Sequence, residues 1–177
     1  TLVSQVQETG VIVCNTKDPN LAPVIAEAQV PVIDYMEVFD LNLALKQPGV
    51  HNRLNAAAAQ AVAQHEGLDQ TLITTALQQF RGTWRRFEYK GEYNGAHIYD
   101  DYAHHPTEIK ATIAAARELY PDKKLITVFK PHMFTRTAAL FDDFAQSFTG
   151  VDEALFLPIY GAREENTTGV TSRELAV

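Results

Sequence analysis

Short apolar runs alternate with helix-forming segments along this 177-residue chain, and this alternation is the strongest constraint on its fold. Strands are predicted at residues 11–14, 31–33, 36–45, 86–89, 97–102, 125–129 and 154–157. Helices are predicted at residues 18–28, 50–65, 69–80, 106–119 and 134–148, with another beginning at Ser172. Strands that alternate with helices in this way indicate an α/β fold, with a doubly wound, Rossmann-like arrangement in the second half of the chain.

Charge and cysteine content exclude several classes of protein. The chain has 15 Lys and Arg against 22 Asp and Glu, a net charge of -7, and no basic cluster of the kind that binds nucleic acid through counterion release. Cys14 is the only cysteine, so an intrachain disulfide and a cysteine-based zinc site are both excluded. The sequence has no apolar run long enough to span a bilayer, and its first residues do not show the basic-then-apolar pattern of a signal peptide. We therefore expect a cytoplasmic enzyme or binding protein with no nucleic-acid or membrane partner.

Two loops that follow predicted strands are dense in reactive side chains. They are Asp100–Pro106 and Lys130–Arg136. Ligands of open α/β sheets bind beyond the carboxyl ends of the strands. If the two strands are neighbours, two carboxylates, three imidazoles and a guanidinium converge in one crevice, where the next helix N-termini favour an anion.

Each loop residue also has a structural interpretation. The aspartates can simply end a strand, His104 or His105 can cap the helix at Pro106, and Arg136 can pair with a surface carboxylate. Three histidines and two aspartates also raise the hypothesis of a metal site. Adjacent histidines rarely bind one ion, however, so we predict no metal ligands.

A third candidate lies at the head of the alanine-rich helix, Gly49–Asn55. Asn52 and Asn55 are three residues apart, so both amides can face a purine or a ribose, although Asn52 can equally be the helix N-cap. Arg85 and Arg86 form a fourth candidate, able to clamp a phosphate or stack on a base. The sequence contains no Gly-x-x-x-x-Gly-Lys-Ser/Thr phosphate loop.

Five motifs, taken in order, resemble those of the Mur ligases of peptidoglycan synthesis. They are Gly49–Ala56, Phe80–Glu88, Asp100–Ile109, Val128–Thr137 and Ile159–Glu164. The resemblance covers nearly the whole chain. It implies that residues 1–81 are the last part of a central α/β ATPase domain. It also implies that residues 82–177 are a Rossmann-like amino-acid-binding domain, incomplete at its C-terminus.

The resemblance implies ADP-forming amide ligation through an acyl phosphate. The small-molecule substrates would be UDP-N-acetylmuramate, L-alanine and ATP, with Mg²⁺ held mostly by residues upstream of this chain. Neither end of the chain looks like a natural terminus, and we expect the 177 residues alone to be inactive. Oligomeric state is not predicted.

The resemblance also assigns roles to individual residues. His51, Asn52 and Asn55 would contact the adenine and ribose, and Arg86 and Asp101 would reach the nucleotide from the second domain. Tyr102, His104, His132 and Arg136 would line the amino-acid and acyl-phosphate side, with His104, His132 and Arg136 as the catalytic set. His105 would only support its turn.

The chain departs from the family pattern at two places. Met133 stands where some relatives carry a second arginine, and the stretch Tyr35–Gly49 is shorter than usual. Two alternatives remain open: a Mur-family ligase for a recycled tripeptide, and a metal-binding, hydrolase-like domain. A non-catalytic nucleotide-binding module is a further possibility.

Overall fold

The computed structural model describes residues 2–176 of the chain. These residues form two compact units, which meet in sequence between Arg81 and Gly82. Over the described range, no helix has the length and apolar character needed to cross a membrane.

The first unit begins with a small parallel sheet. Strand β1 (Ile12–Cys14) pairs with β2 (Val32–Asp34), and helix α1 (Ala22–Ile25) lies between them in sequence. The strands are confirmed, but the helix predicted from Asp18 is only four residues long. The Asp18 carboxylate accepts a hydrogen bond from the Asn20 backbone N–H at 2.9 Å, which closes a turn before the helix.

The strand predicted at residues 36–45 is wrong. Residues Tyr35–Val38 form a 3₁₀ turn, because the Asp34 carboxylate accepts a hydrogen bond from the Met36 N–H at 2.9 Å. Asp40 then accepts from the Asn42 N–H at 2.8 Å. Aspartates that bond to backbone two residues ahead favour turns over an extended ladder.

Helices α2 (Val50–His65) and α3 (Gln70–Gln79) complete the first unit, and both are confirmed. Helix α2 begins after Gly49, whose φ of 97° only glycine adopts readily, and it buries the small side chains of its alanine-rich face. Helix α3 is capped by the Asp69 carboxylate, which accepts a hydrogen bond from the Leu72 N–H at 3.0 Å.

The second unit begins with an antiparallel hairpin of β3 (Glu88–Tyr93) and β4 (Ala96–Asp100). Asn94 and Gly95 make the turn with φ of 50° and 81°, the positive values that tight hairpins need. Helix α4 (Pro106–Leu119) follows with its predicted bounds.

The rest of the second unit is a parallel pair, β5 (Ile126–Phe129) and β6 (Glu153–Phe156), joined through α5 (Phe134–Ala139) and α6 (Phe141–Ala145). The single helix predicted at 134–148 is therefore interrupted, because Leu140 leaves helical geometry at φ -116° and ψ 26°.

The core of this unit is formed between helices α4 and α6 and strand β5. Ile109 and Ile113 of α4 pack with Phe129 of β5, with the fully buried Phe144 of α6 and with Leu175. Burial of these large apolar side chains is the main stabilising contribution to the unit.

The α/β class is confirmed, but the expected continuous sheet is not formed. Residues 2–176 contain three two-stranded sheets, so β4 pairs with β3 and β5 with β6. A cavity of about 990 Å³ is lined by residues of β4, α4 and β5. Within the described residues, β4 and β5 therefore line one cavity but do not pair with each other.

Candidate functional site

Asp101 ties the loop after β4 to the segment before β3. Its Oδ2 accepts a hydrogen bond from the Phe87 N–H at 2.7 Å, and its Oδ1 accepts one from the Ala103 N–H at 2.7 Å. Phe87 is only 5% exposed, so without Asp101 its backbone N–H would be buried with no hydrogen-bond acceptor. Both carboxylate oxygens thus brace the backbone of the loop.

Arg85 braces the same loop from the other side. Its carbonyl accepts a hydrogen bond from the Tyr102 N–H at 2.8 Å, and its Nε donates to Asp100 at 3.1 Å. Its guanidinium carbon lies 4.9 Å from the Tyr102 ring centroid and 5.6 Å from that of Trp84. Of the two adjacent arginines, Arg85 is therefore the structural one.

Arg86 points a more accessible guanidinium toward the same region. Its side chain is 55% exposed, and its Nη1 lies 4.0 Å from the carboxylate of Glu108. At that separation the ion pair is loose, and an exposed pair of this kind contributes little to stability. The cation can still turn toward an anionic ligand.

Glu108 and His105 close the N-terminus of α4. Glu108 Oε2 accepts hydrogen bonds from the N–H groups of His104 at 2.9 Å and His105 at 3.2 Å, while His105 Nδ1 accepts from the Thr107 N–H at 3.3 Å. Burial alone raises the pKa of Glu108, but these amides and the nearby His104 and Arg86 outweigh it and lower that pKa overall. The expectation that His105 caps this helix is confirmed.

His104 has one ring nitrogen engaged. Its Nδ1 lies 2.8 Å from the Tyr102 carbonyl oxygen, and its ring meets the Tyr102 ring edge-on at 5.0 Å between centroids. A carbonyl can only accept, so Nδ1 carries the proton and Nε2 is the nitrogen left to face a ligand.

His132 is held in place by an extension of the β5–β6 ladder. It forms a parallel bridge with Tyr160, in which the Tyr160 N–H donates to Pro131 and the Met133 N–H donates to the Tyr160 carbonyl, both at 2.8 Å. The His132 and Tyr160 rings lie 5.1 Å apart. The histidine is thus fixed at the carboxyl end of the sheet, as the sequence predicted.

Arg136 lies in α5, half-buried. Its Nη2 approaches the Met133 sulfur at 3.8 Å, a weak contact. Among the described residues, no carboxylate lies within ion-pairing distance of this guanidinium. Arg136 thus makes no ion pair with a described residue, although its charge lowers the pKa of Glu164.

The asparagines of the first unit lie in the first two turns of α2. The N-cap of this helix is Gly49, so the alternative in which Asn52 caps it is wrong. Asn52 Nδ2 instead donates to the Pro48 carbonyl at 2.7 Å, and Asn55 is exposed. His51 lies beside them in the same turn.

Helix N-termini were expected to suit an anion at both loops, and in the structure a carboxylate of the chain itself occupies each of them. Glu108 fills that position at α4, and Glu164 fills it at α5 by accepting from the Thr135 N–H at 3.0 Å. Neither carboxylate was predicted as a site residue. Glu108 stands three residues after the N-cap, a capping-box signal, whereas Glu164 is 29 residues from Thr135 and left no local signal.

The structure therefore assembles two groups in the second unit. Arg86 and His104 lie beside Glu108, and Tyr102 packs against His104. His132 and Arg136 flank the start of α5. In the described part of the chain, no three His, Cys, Asp or Glu side chains are grouped as metal ligands.

Comparison with known proteins identifies the family. Residues 85–177 match the family described as Mur ligase, glutamate ligase domain, and this range includes both loops. The chain belongs to the Mur ligase family.

Two solved structures resemble this Mur ligase chain. The UDP-N-acetylmuramate-alanine ligase MurC of Thermotoga maritima is 34% identical, with a TM-score of 0.58, over 66% of this chain and 26% of that one. The murein peptide ligase mpl of Psychrobacter arcticus is 27% identical, with a TM-score of 0.63, over 88% of this chain and 38% of that one. The chain thus spans well under half the length of either Mur ligase. The second match covers more than residues 82–177 alone, so the likeness extends into the first unit.

Proposed function

We propose that this chain is part of an ADP-forming ligase that joins L-alanine to UDP-N-acetylmuramate. The observation that carries the proposal is Arg136, a half-buried guanidinium that has no carboxylate partner among the described residues and lies four residues from His132. Arginine binds carboxylates through two parallel hydrogen bonds, so Arg136 suits the carboxylate of an amino acid.

The reaction needs an activated carboxyl group. ATP, when bound, supplies the phosphoryl group that turns the carboxylate of the sugar into an acyl phosphate. The amine of alanine then attacks the acyl carbon, and the bond from that carbon to the phosphate oxygen breaks, so that inorganic phosphate leaves with the electron pair. The proton that the amine loses passes to water or to the departing phosphate. Arg136 holds the alanine carboxylate, while His132 and His104 line the reacting side together with Tyr102 and favour the developing charge.

The nucleotide residues fit to different degrees. Asn55 offers an exposed amide, Asn52 retains its Oδ1 and His51 lies beside them, which suits an adenine or ribose. Arg86 suits a phosphate. Asp101 fits less well as a nucleotide ligand, because both of its oxygens already accept backbone N–H groups.

Magnesium is not assigned to any residue of this chain. The resemblance implies that most of the Mg²⁺ ligands and the phosphate loop would lie outside these 177 residues. We therefore propose that the 177-residue chain alone does not form the amide. ATP- and alanine-dependent ligation by this chain would contradict that part of the proposal.

A second candidate is the ligation of a recycled tripeptide. The murein peptide ligase favours it, because its structure matches 88% of this chain with a TM-score of 0.63. The 34% identity to the alanine ligase favours the first candidate.

A binding experiment separates the candidates. In NMR titrations of the 177-residue chain, we expect L-alanine to shift the Arg136 Nε–H resonance and Arg136→Ala to abolish binding. The exposed Arg173→Ala is the matched control and should bind as the wild type does. A response to the tripeptide but not to L-alanine favours the second candidate. Stoichiometric zinc or manganese after gentle purification favours the hydrolase-like alternative.

A further inference from the structure

The segment Ile159–Glu164 is one of the five motifs, and it holds both Tyr160 and Glu164. It follows β6 and returns to the loop that carries His132. Tyr160 joins that loop through the two 2.8 Å backbone hydrogen bonds to Pro131 and Met133. The segment is thus tied to the candidate site along its own backbone.

Glu164 reaches the first turn of α5 with both carboxylate oxygens. Oε2 accepts from the Thr135 N–H at 3.0 Å, and Oε1 accepts from the Thr135 hydroxyl at 2.6 Å. The hydroxyl and amide of Thr135, helped by the Phe134 amide and the Arg136 charge, lower the pKa of Glu164, so it is ionised at neutral pH. The N-cap residue of α5 is Met133, whose thioether makes no capping bond. Glu164 therefore does from a distance what an N-cap side chain does locally.

Close packing holds the same turn in place. The Gly161 carbonyl accepts the Glu164 N–H at 2.9 Å, which closes a tight turn. A Cβ placed on Gly161 would lie 2.5 Å from the Phe134 ring and 2.9 Å from the Glu164 carbonyl oxygen. Only a glycine lets the turn come this near to the first residue of α5.

We propose that Glu164 is a positioning residue, which fixes the first turn of α5 and so sets the direction of the Arg136 guanidinium. Arg136 is one residue beyond Thr135, and His132 is three residues before it, so both depend on the geometry of that turn. Within residues 2–176, no carboxylate lies within ion-pairing distance of the Arg136 guanidinium, so its direction depends on where the first turn of α5 places it. The proposal rests on the proposed function, because Arg136 is the residue through which Glu164 acts.

The first test needs no substrate. In the 177-residue chain, Glu164→Ala should speed hydrogen exchange of the Thr135 amide by about tenfold or more and shift the Arg136 Nε–H resonance. Glu165→Ala is the matched control, since it removes a neighbouring exposed carboxylate, and it should leave both signals unchanged. An unchanged Arg136 resonance in a folded Glu164→Ala variant would overturn the proposal.

Two further variants separate positioning from general stability. Glu164→Gln keeps one acceptor for Thr135 and should restore most of the Arg136 signal. Gly161→Ala presses on Phe134 without removing a polar group, and it should shift the Arg136 resonance in its own right. A merely structural role predicts a different result: the Arg136 signal would fall only as far as the unfolding midpoint falls, and Glu164→Gln would not restore it. That result would overturn the proposal.

The substrate test uses L-alanine as the probe. Misdirection of Arg136 should weaken alanine binding by about five- to tenfold in Glu164→Ala, with Glu164→Gln in between and Glu165→Ala unchanged. Equal alanine affinity in Glu164→Ala and in the wild type would overturn the proposal. If the wild-type chain binds no alanine, the proposed function fails, whereas the substrate-free measurements still decide the role of Glu164.

Discussion

Replacement of Asp101 by alanine should destabilise the second unit substantially. The carboxylate accepts two backbone N–H groups, from Phe87 and Ala103, each at 2.7 Å. Hydrogen bonds to charged groups contribute about 1.5–3 kcal/mol each. Asp101 is only partly buried, so we take the low end of that range and expect a loss of about 3 kcal/mol in the free energy of unfolding. That is a large fraction of the stability of an ordinary domain.

Native-state hydrogen exchange of the β3 and β4 amides is the appropriate measurement, since it gives the free energy of opening residue by residue. Asp101→Asn keeps one acceptor oxygen but turns an NH₂ group toward the other N–H. Its loss in the free energy of unfolding should therefore be roughly half that of Asp101→Ala. Asp122→Ala removes an exposed carboxylate of the same unit and should change stability by less than about 0.5 kcal/mol.

A loss of less than about 1 kcal/mol in Asp101→Ala would contradict this expectation, because the two amides must then find water to be as good a partner. A gain in stability would instead indicate that Asp101 is kept for a ligand at the expense of the fold.

Three other perturbations have expected outcomes. Phe144→Ala removes a fully buried ring and should cost about 3–5 kcal/mol in urea unfolding, with Phe144→Leu costing much less. The pKa of Glu108 is lower in the folded state, so its stabilisation is present above the ordinary glutamate range. It should be lost as the pH falls through the folded pKa, and Glu108→Gln should flatten that acid dependence in a pH series of melts. Burial and the Asp34 carboxylate raise the pKa of Cys14, so iodoacetamide at pH 8 should alkylate it more slowly than a peptide cysteine until urea is added.

The two long helices could be predicted from sequence because their signals are local. Helix α4 begins with His105 and Pro106, an N-cap followed by proline, and its apolar residues recur at helical spacing. Helix α2 has Gly49 before it and a run of alanines within it. Both helices have the predicted bounds because the start signal and the apolar period agree.

The features that were predicted wrongly or not at all depend on contacts that cannot be inferred from the spacing of residues in the sequence. Asp34 turns the chain into a 3₁₀ segment, where alternation had predicted a strand. The pairing of β5 with β6 rather than with β4 depends on long-range register, which local composition does not fix. Glu164 was identified in a motif but given no role, because its partner Thr135 is 29 residues away.

The charge distribution at the site depends on which groups its carboxylates bond to. Asp101, Glu108 and Glu164 all accept backbone N–H groups at strand-to-helix loops, which holds their charges against the main chain. Among the described residues, Arg86 approaches the Glu108 carboxylate only at 4.0 Å, and Arg136 has no carboxylate within ion-pairing distance, although its charge lowers the pKa of Glu164. A chain with a net charge of -7 can therefore present the cations of Arg86 and Arg136 at these two loops, because Glu108 and Glu164 bond mainly to backbone amides. The net charge of the chain bears on a nucleic-acid partner, which needs many clustered cations. The binding of a small anionic substrate depends instead on a few individual arginines and on whether carboxylates already pair with them.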